Sequence, residues 1–169
     1  MPTLLDTSTP AAHSAFAIAP AFGWRSAESG GGEAWFKGYM LKDGSLLEGE
    51  AAAAYVAALL DRAATPDALA AELLGVDGQF AAAVRKGGRL MATVDRTRSI
   101  PLFYTKSPDG WLIGDSAPML RARCDLGEPD RDAGLEIAMA GYALGRGTLY
   151  RGLNQLQAGE MLVIEGRGG

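Results

Sequence analysis

The spacing of apolar and polar residues changes several times along the chain, and each change predicts an element. Over residues 34–40 the two kinds alternate around Trp35, Lys37 and Tyr39, as in a half-buried strand, and Asp43-Gly44 then signals a turn. From residue 50 to 62, alanines surround Tyr55, Val56, Leu59 and Leu60, the pattern of a helix. Thr65-Pro66-Asp67 restarts a helix with a hydroxyl cap, a proline at the first position and an acid in the first turn. That helix runs to about Leu74 and ends at Gly75. Strands follow at 79–86 and 89–94, joined by Gly87-Gly88, a dipeptide suited to a primed hairpin turn. A second hairpin joins 102–105 to 111–114 through Ser107-Pro108-Asp109-Gly110. Ser116 caps a short helix with Pro118 near its start, residues 132–140 form another that stops at Gly141, and 161–164 is a late strand. Before these come a strand at 15–18, an apolar piece at 21–24 and a turn at Gly30-Gly31-Gly32.

Helices interspersed with hairpins predict an α+β layered domain of antiparallel sheet with helices outside. Residues 1–20 read as a partly ordered leader, 21–165 as the domain, and 166–169 as a tail or the start of a linker. The 169 residues suit one hydrophobic core. Much of the apolar content is alanine, so the core is expected to lean on Phe80, Val84, Leu90, Val94, Ile100, Leu102, Phe103, Trp111, Leu112 and Ile113.

A net charge of −4 without a basic run argues against a nucleic-acid partner. No stretch approaches the roughly 20 apolar residues of a membrane span. Cys124 is the only cysteine, which rules out an intrachain disulfide and fits a reducing, cytoplasmic setting. With one cysteine and one histidine, His13, no multi-ligand zinc site can be built, and no metal or other cofactor is expected.

The candidate chemistry centres on Asp95, at the end of a buried strand and flanked by Arg96 and Arg98. One reading makes it an Asx-turn that caps the following loop. Another has its carboxylate receive the α-ammonium of an amino acid or a peptide, a charge-assisted contact worth about 1.5–3 kcal/mol. The residues alone leave both open. Ser29-Gly30-Gly31-Gly32-Glu33 reads as a turn rather than a phosphate loop, since a strand follows it where a helix would be needed. Gly145-Arg146-Gly147 reads as a surface loop, and Asp130-Arg131-Asp132 as an N-cap region rather than a metal site.

Five blocks in order resemble the N-terminal, glutaminase-type domain of the asparagine synthetase family. They are Leu74-Gly75-Val76-Asp77-Gly78-Gln79-Phe80-Ala81, Asp95-Arg96, Pro101-Leu102-Phe103-Tyr104, Trp111-Leu112-Ile113-Gly114-Asp115-Ser116, and the stretch from Gly141-Tyr142 through Thr148 to Leu162. Together they cover roughly residues 74–164. The resemblance implies the N-terminal-nucleophile hydrolase fold, an αββα sandwich of two antiparallel sheets. It also implies a ligand-binding role for Asp95.

That family's glutaminases begin with a cysteine whose thiol attacks the glutamine amide, with the freed α-amine as base. This sequence begins Met1-Pro2-Thr3. The family's Arg-Gly-Pro-Asp segment has no counterpart between Ser26 and Gly49, and its Asn-Gly-Glu segment is replaced by Phe36-Lys37-Gly38-Tyr39. A Pro2 base, or a hydroxyl exposed by processing at Thr7, Thr9 or Ser14, finds no support beyond residue type. The expectation is therefore a catalytically degenerate glutaminase-type domain with no catalytic residue. Its role would be scaffold or regulatory module for an ATP-dependent, amide-forming synthetase domain or subunit, in cis or in trans. An active glutamine-hydrolysing domain supplying ammonia for asparagine synthesis, and an amino-acid or peptide binding module, are the alternatives. Homodimerisation is compatible with each.

Overall fold

The computed structural model describes residues 15–16 (backbone only), 23–108 and 110–165. Most of the 1–20 leader, with Pro2, Thr7, Thr9, His13 and Ser14, lies outside the described residues, as do Asp109 and the 166–169 tail. So do residues 17–18 of the expected 15–18 strand and residues 21–22 of the 21–24 piece.

Ten strands and four helices are described: β1 (Ala15–Phe16), β2 (Arg25–Ser29), β3 (Gly32–Lys42), β4 (Ser45–Glu48), α1 (Gly49–Arg62), α2 (Pro66–Leu74), β5 (Asp77–Lys86), β6 (Arg89–Val94), β7 (Phe103–Ser107), β8 (Gly110–Gly114), α3 (Ala117–Cys124), α4 (Arg131–Ala140), β9 (Leu153–Gln155) and β10 (Met161–Glu165). The fold is α+β with two sheets. One runs β1-β8-β7-β9; the other runs β10-β6-β5-β3-β2, with β4 also paired to β3. Every pairing is antiparallel except β1 with β8, which is parallel, so the expectation of purely antiparallel sheets is corrected at that edge.

Three apolar clusters give the stacking. Phe36, Met40, Phe80, Ala82, Val84, Met91 and Val163 of the larger sheet share a core with Val56, Leu59 and Leu60 of α1 and Leu69 and Leu73 of α2. The alternate residues Ala81, Ala83, Leu90, Ala92, Val94, Leu162 and Ile164 share a second core with Tyr104 and Ile113 of the smaller sheet and with Leu102 just before β7. On the far side of that sheet, Leu112 and Leu153 meet Leu120 of α3. The order is therefore helices, sheet, sheet, helix. β5 is covered on both faces, which is why Phe80 to Val84 is an unbroken apolar run rather than an alternating one. Its inter-sheet positions are alanines, leaving room for the bulky side chains of the opposing sheet.

Of the residues expected in the core, Ile100, Phe103 and Trp111 are half-buried and the rest are buried. The Gly87-Gly88 turn has φ of 58° and 75°, the positive values a primed hairpin turn requires. Thr65 caps α2 as its sequence position implies, its hydroxyl accepting from the Ala68 N–H at 3.2 Å. Thr65→Ala is expected to lower unfolding stability by about 1 kcal/mol, read by urea denaturation.

Candidate functional site

One end of the sandwich collects the polar residues that the sequence singles out. β6 ends at Val94, and the Asp95 N–H donates to the Phe80 carbonyl at 3.0 Å, which anchors the following loop to β5. The Asp95 side chain turns inward and is almost fully buried. Its Oδ1 accepts the Thr97 N–H at 2.8 Å, the Thr97 hydroxyl at 2.6 Å and the Ser99 hydroxyl at 3.3 Å. Its Oδ2 accepts the N–H groups of Phe80 and Ser99, each at 3.0 Å.

Five donors thus meet a group with about four lone-pair sites. Burial pushes the Asp95 carboxyl up, but the Thr97 hydroxyl and the three backbone N–H groups outweigh it and hold the group below the usual carboxylate range. The Asx-turn reading fits this geometry without any ligand. An arriving ammonium would have to displace donors already in place. Of the flanking arginines, Arg96 pairs with Asp77 instead, and the Arg98 N–H donates to the Asp95 carbonyl at 3.0 Å.

Beside this loop runs β3, whose Lys37 and Gly38 pair with Ala81 and Phe80 of β5. Gly38 has φ of 101°, and a Cβ there would lie 2.0 Å from the Gln79 carbonyl oxygen and 2.9 Å from Ile100 Cδ1. Only glycine fits, and the approach of Ile100 shows how closely the loop after Asp95 lies against β3. The preceding residue, Lys37, points between the sheets. Its Nζ donates to Asp115 Oδ2 at 2.8 Å, linking the larger sheet to the end of β8 in the smaller one.

Trp24 Nε1 donates to the same Oδ2 at 3.1 Å. The Asp115 side chain is only 3% exposed, and its Oδ1 is a buried atom without a hydrogen-bond donor. This Lys37–Asp115–Trp24 group was not picked out by sequence reasoning. The one signal for it was Lys37 at the same strand parity as Trp35, the parity that faces the opposing sheet.

A second ion pair, between buried Glu160 and partly exposed Arg146, closes the neighbouring loop. Glu160 accepts from Nε and Nη2 of Arg146, at 3.0 Å for Nε, and its other oxygen accepts the Gln157 N–H at 2.8 Å. Gln155 Nε2 donates to the carbonyls of Gly145 and Gly147. Gly145-Arg146-Gly147, expected as a plain surface loop, is therefore pinned to the sheet through its arginine. Burial raises the Tyr104 phenol, with nearby Arg146 opposing that shift and Glu160 reinforcing it.

The other sequence candidates lie apart from this end. Gly30-Gly31 turns β2 into β3, and Ser29 donates to Asp61 Oδ2 at 2.5 Å. The cleft of about 650 Å³ between this turn and Gly87-Gly88 holds Arg85 and Lys86, already paired with Glu33 and Asp61. Asp130 caps α4, accepting the N–H groups of Asp132 and Ala133. Cys124 is half-buried at the end of α3, its thiol pushed up by burial against the opposing effect of Arg123. Among the described residues no cluster of three or more His, Cys, Asp or Glu side chains is arranged to hold a metal. No described helix is long and apolar enough to cross a membrane.

No protein-family model matches the chain, and no curated protein does.

Proposed function

We propose that this chain is a catalytically degenerate glutaminase-type domain of the asparagine synthetase kind, with an N-terminal-nucleophile-like sandwich. It serves as scaffold or regulatory module for an ATP-dependent, amide-forming synthetase domain or subunit. The observation that carries this reading is how the polar groups at the end of the sandwich are spent. Asp95, the residue matched to the family's amine-binding acid, gives its acceptor capacity to four donors of its own loop and to the Phe80 N–H of β5. Lys37-Gly38-Tyr39, which stands where the family has Asn-Gly-Glu, puts a lysine into an ion pair that ties the two sheets together. An oxyanion hole needs donors aimed at an incoming oxygen, whereas the Lys37 ammonium is directed at Asp115. The helix–sheet–sheet–helix order supports the lineage.

The test is to incubate the pure protein with glutamine and measure ammonia release. No release above the protein-free control is expected. Sustained turnover would end the scaffold reading in favour of an active amidotransferase.

A further inference from the structure

Asp95, Glu160 and Asp115 each bury a carboxylate, and they differ in what their oxygens meet. Asp95 has five donors spread over both oxygens. Glu160 has one oxygen taken by Arg146 and the other by the Gln157 N–H. Asp115 is only half bonded. Its Oδ2 accepts from both Lys37 Nζ and Trp24 Nε1, while Oδ1 is buried with no donor. Leaving a buried acceptor in that state is costly, more so when it carries charge. A pair built only to tie the sheets together would cover both oxygens, as the bonds of Asp95 and Glu160 do. Lys37 is the more exposed partner, its side chain at 20% against 3% for Asp115, so it is the one able to withdraw toward solvent.

We propose that Asp115 is the carboxylate of a primary-amine site, and that Lys37 is a tethered cation holding the seat that an ammonium-bearing ligand takes. A free R–NH3+ group carries three donors and can turn them to both oxygens. The Lys37 ammonium, held by its stem to β3 in the other sheet, serves Oδ2 alone. The exchange replaces one cation by another, so it leaves no buried charge unpaired and avoids the large penalty of breaking such a pair. Trp24 Nε1 keeps its bond to Oδ2 throughout and reports on the exchange. The ligand class is the primary ammonium of an amino acid or of a peptide N-terminus. This site is separate from Asp95, and it neither requires nor contradicts the scaffold reading.

The probe is methylammonium chloride, titrated into the 15N-labelled chain at constant chloride. Tetramethylammonium chloride, a cation with no N–H donor, is the control. The Trp24 indole N–H resonance is identified among the three tryptophans by its loss in Trp24→Phe. It is expected to shift saturably with methylammonium, with Kd roughly 10–100 mM for a ligand of two heavy atoms, and to stay in place with tetramethylammonium. Lys37→Met removes the tethered cation and is expected to tighten binding at least about 10-fold, the gain from ending the competition. Asp115→Asn is expected to abolish the saturable shift. The parent titration decides the matter even where a variant fails to fold. No saturable shift in the parent, an equal response to tetramethylammonium, an unchanged response in folded Asp115→Asn, or a folded Lys37→Met that binds no tighter would each overturn the assignment.

Discussion

Asp95→Ala is expected to lower unfolding stability by about 3–5 kcal/mol. It removes an acceptor for three backbone N–H groups and two hydroxyls, and hydrogen bonds to a charged group contribute about 1.5–3 kcal/mol each before desolvation is counted. The Phe80 N–H lies within buried strand β5 and would lose its acceptor, a further cost of about 1–3 kcal/mol. Relaxation of the loop and entry of water return part of this, which places the total below the sum.

A pH dependence follows from the same bonds. The folded-state carboxyl is held below its ordinary value, so its stabilisation is fully present above the unfolded pKa of about 3.9. It is lost as pH falls from there through the depressed folded value. Parent stability should therefore drop below about pH 4, and the Asp95→Ala variant should lack that part of the drop. Urea unfolding at pH 7, 4 and 3 measures both effects. A variant as stable as the parent at pH 7 would mean that the carboxylate is reserved for something other than its loop.

Most of the layering was legible because burial on both faces leaves continuous apolar runs, while turns require particular residues. Gly87-Gly88, Asp43-Gly44, the Thr65 cap and the Gly141 stop each meet a local backbone demand that few residues satisfy, and each sits where its residues imply. Of the strands that escaped reading, β4 follows the marked Asp43-Gly44 turn, while β2 and β9 lack such marks. β2 is Arg-Ser-Ala-Glu-Ser, polar at nearly every position, and is a strand only because β3 offers its edge; β9 has three residues and is set by β7. Reading the 21–24 piece as apolar missed that the pairing begins at Arg25.

For the site, the sequence located Asp95 but not what it bonds. Two arginines beside an acid suggest ion pairs, yet a chain leaving a strand sends neighbouring side chains in different directions, and Arg96 meets Asp77 instead. Lys37 and Asp115 are 78 positions apart and in different sheets, so only the packing of one sheet on the other brings them within 2.8 Å. The Arg146–Glu160 pair escaped for a related reason. A glycine-flanked arginine looks solvated until the loop is seen to fold back onto the residue before β10.

Gly38→Ala is the second large effect expected, on the order of 4 kcal/mol of lost stability. Two penalties add. An L-residue at φ of 101° is held in a sparsely populated region, and its Cβ would lie 2.0 Å from the Gln79 carbonyl oxygen, a backbone atom fixed by the β3–β5 pairing. The strand cannot yield outward without breaking the register of Lys37 with Ala81, which carries the ammonium to Asp115. It cannot yield toward Ile100 without pushing the loop that surrounds Asp95. Gly44→Ala supplies the comparison, since Gly44 has φ of 78° and an added methyl there would meet nothing within 4 Å, so it incurs only the backbone penalty of about 1–2 kcal/mol. Chemical denaturation of the two variants side by side isolates the clash. Amide NMR shifts of Thr97 and Ser99 report whether the disturbance reaches the carboxylate, and they are expected to move in Gly38→Ala and stay in place in Gly44→Ala. Equal destabilisation of both variants would mean that β3 does not lie as close to Gln79 and Ile100 as described, and the coupling between the strand and the Asp95 loop would fall with it.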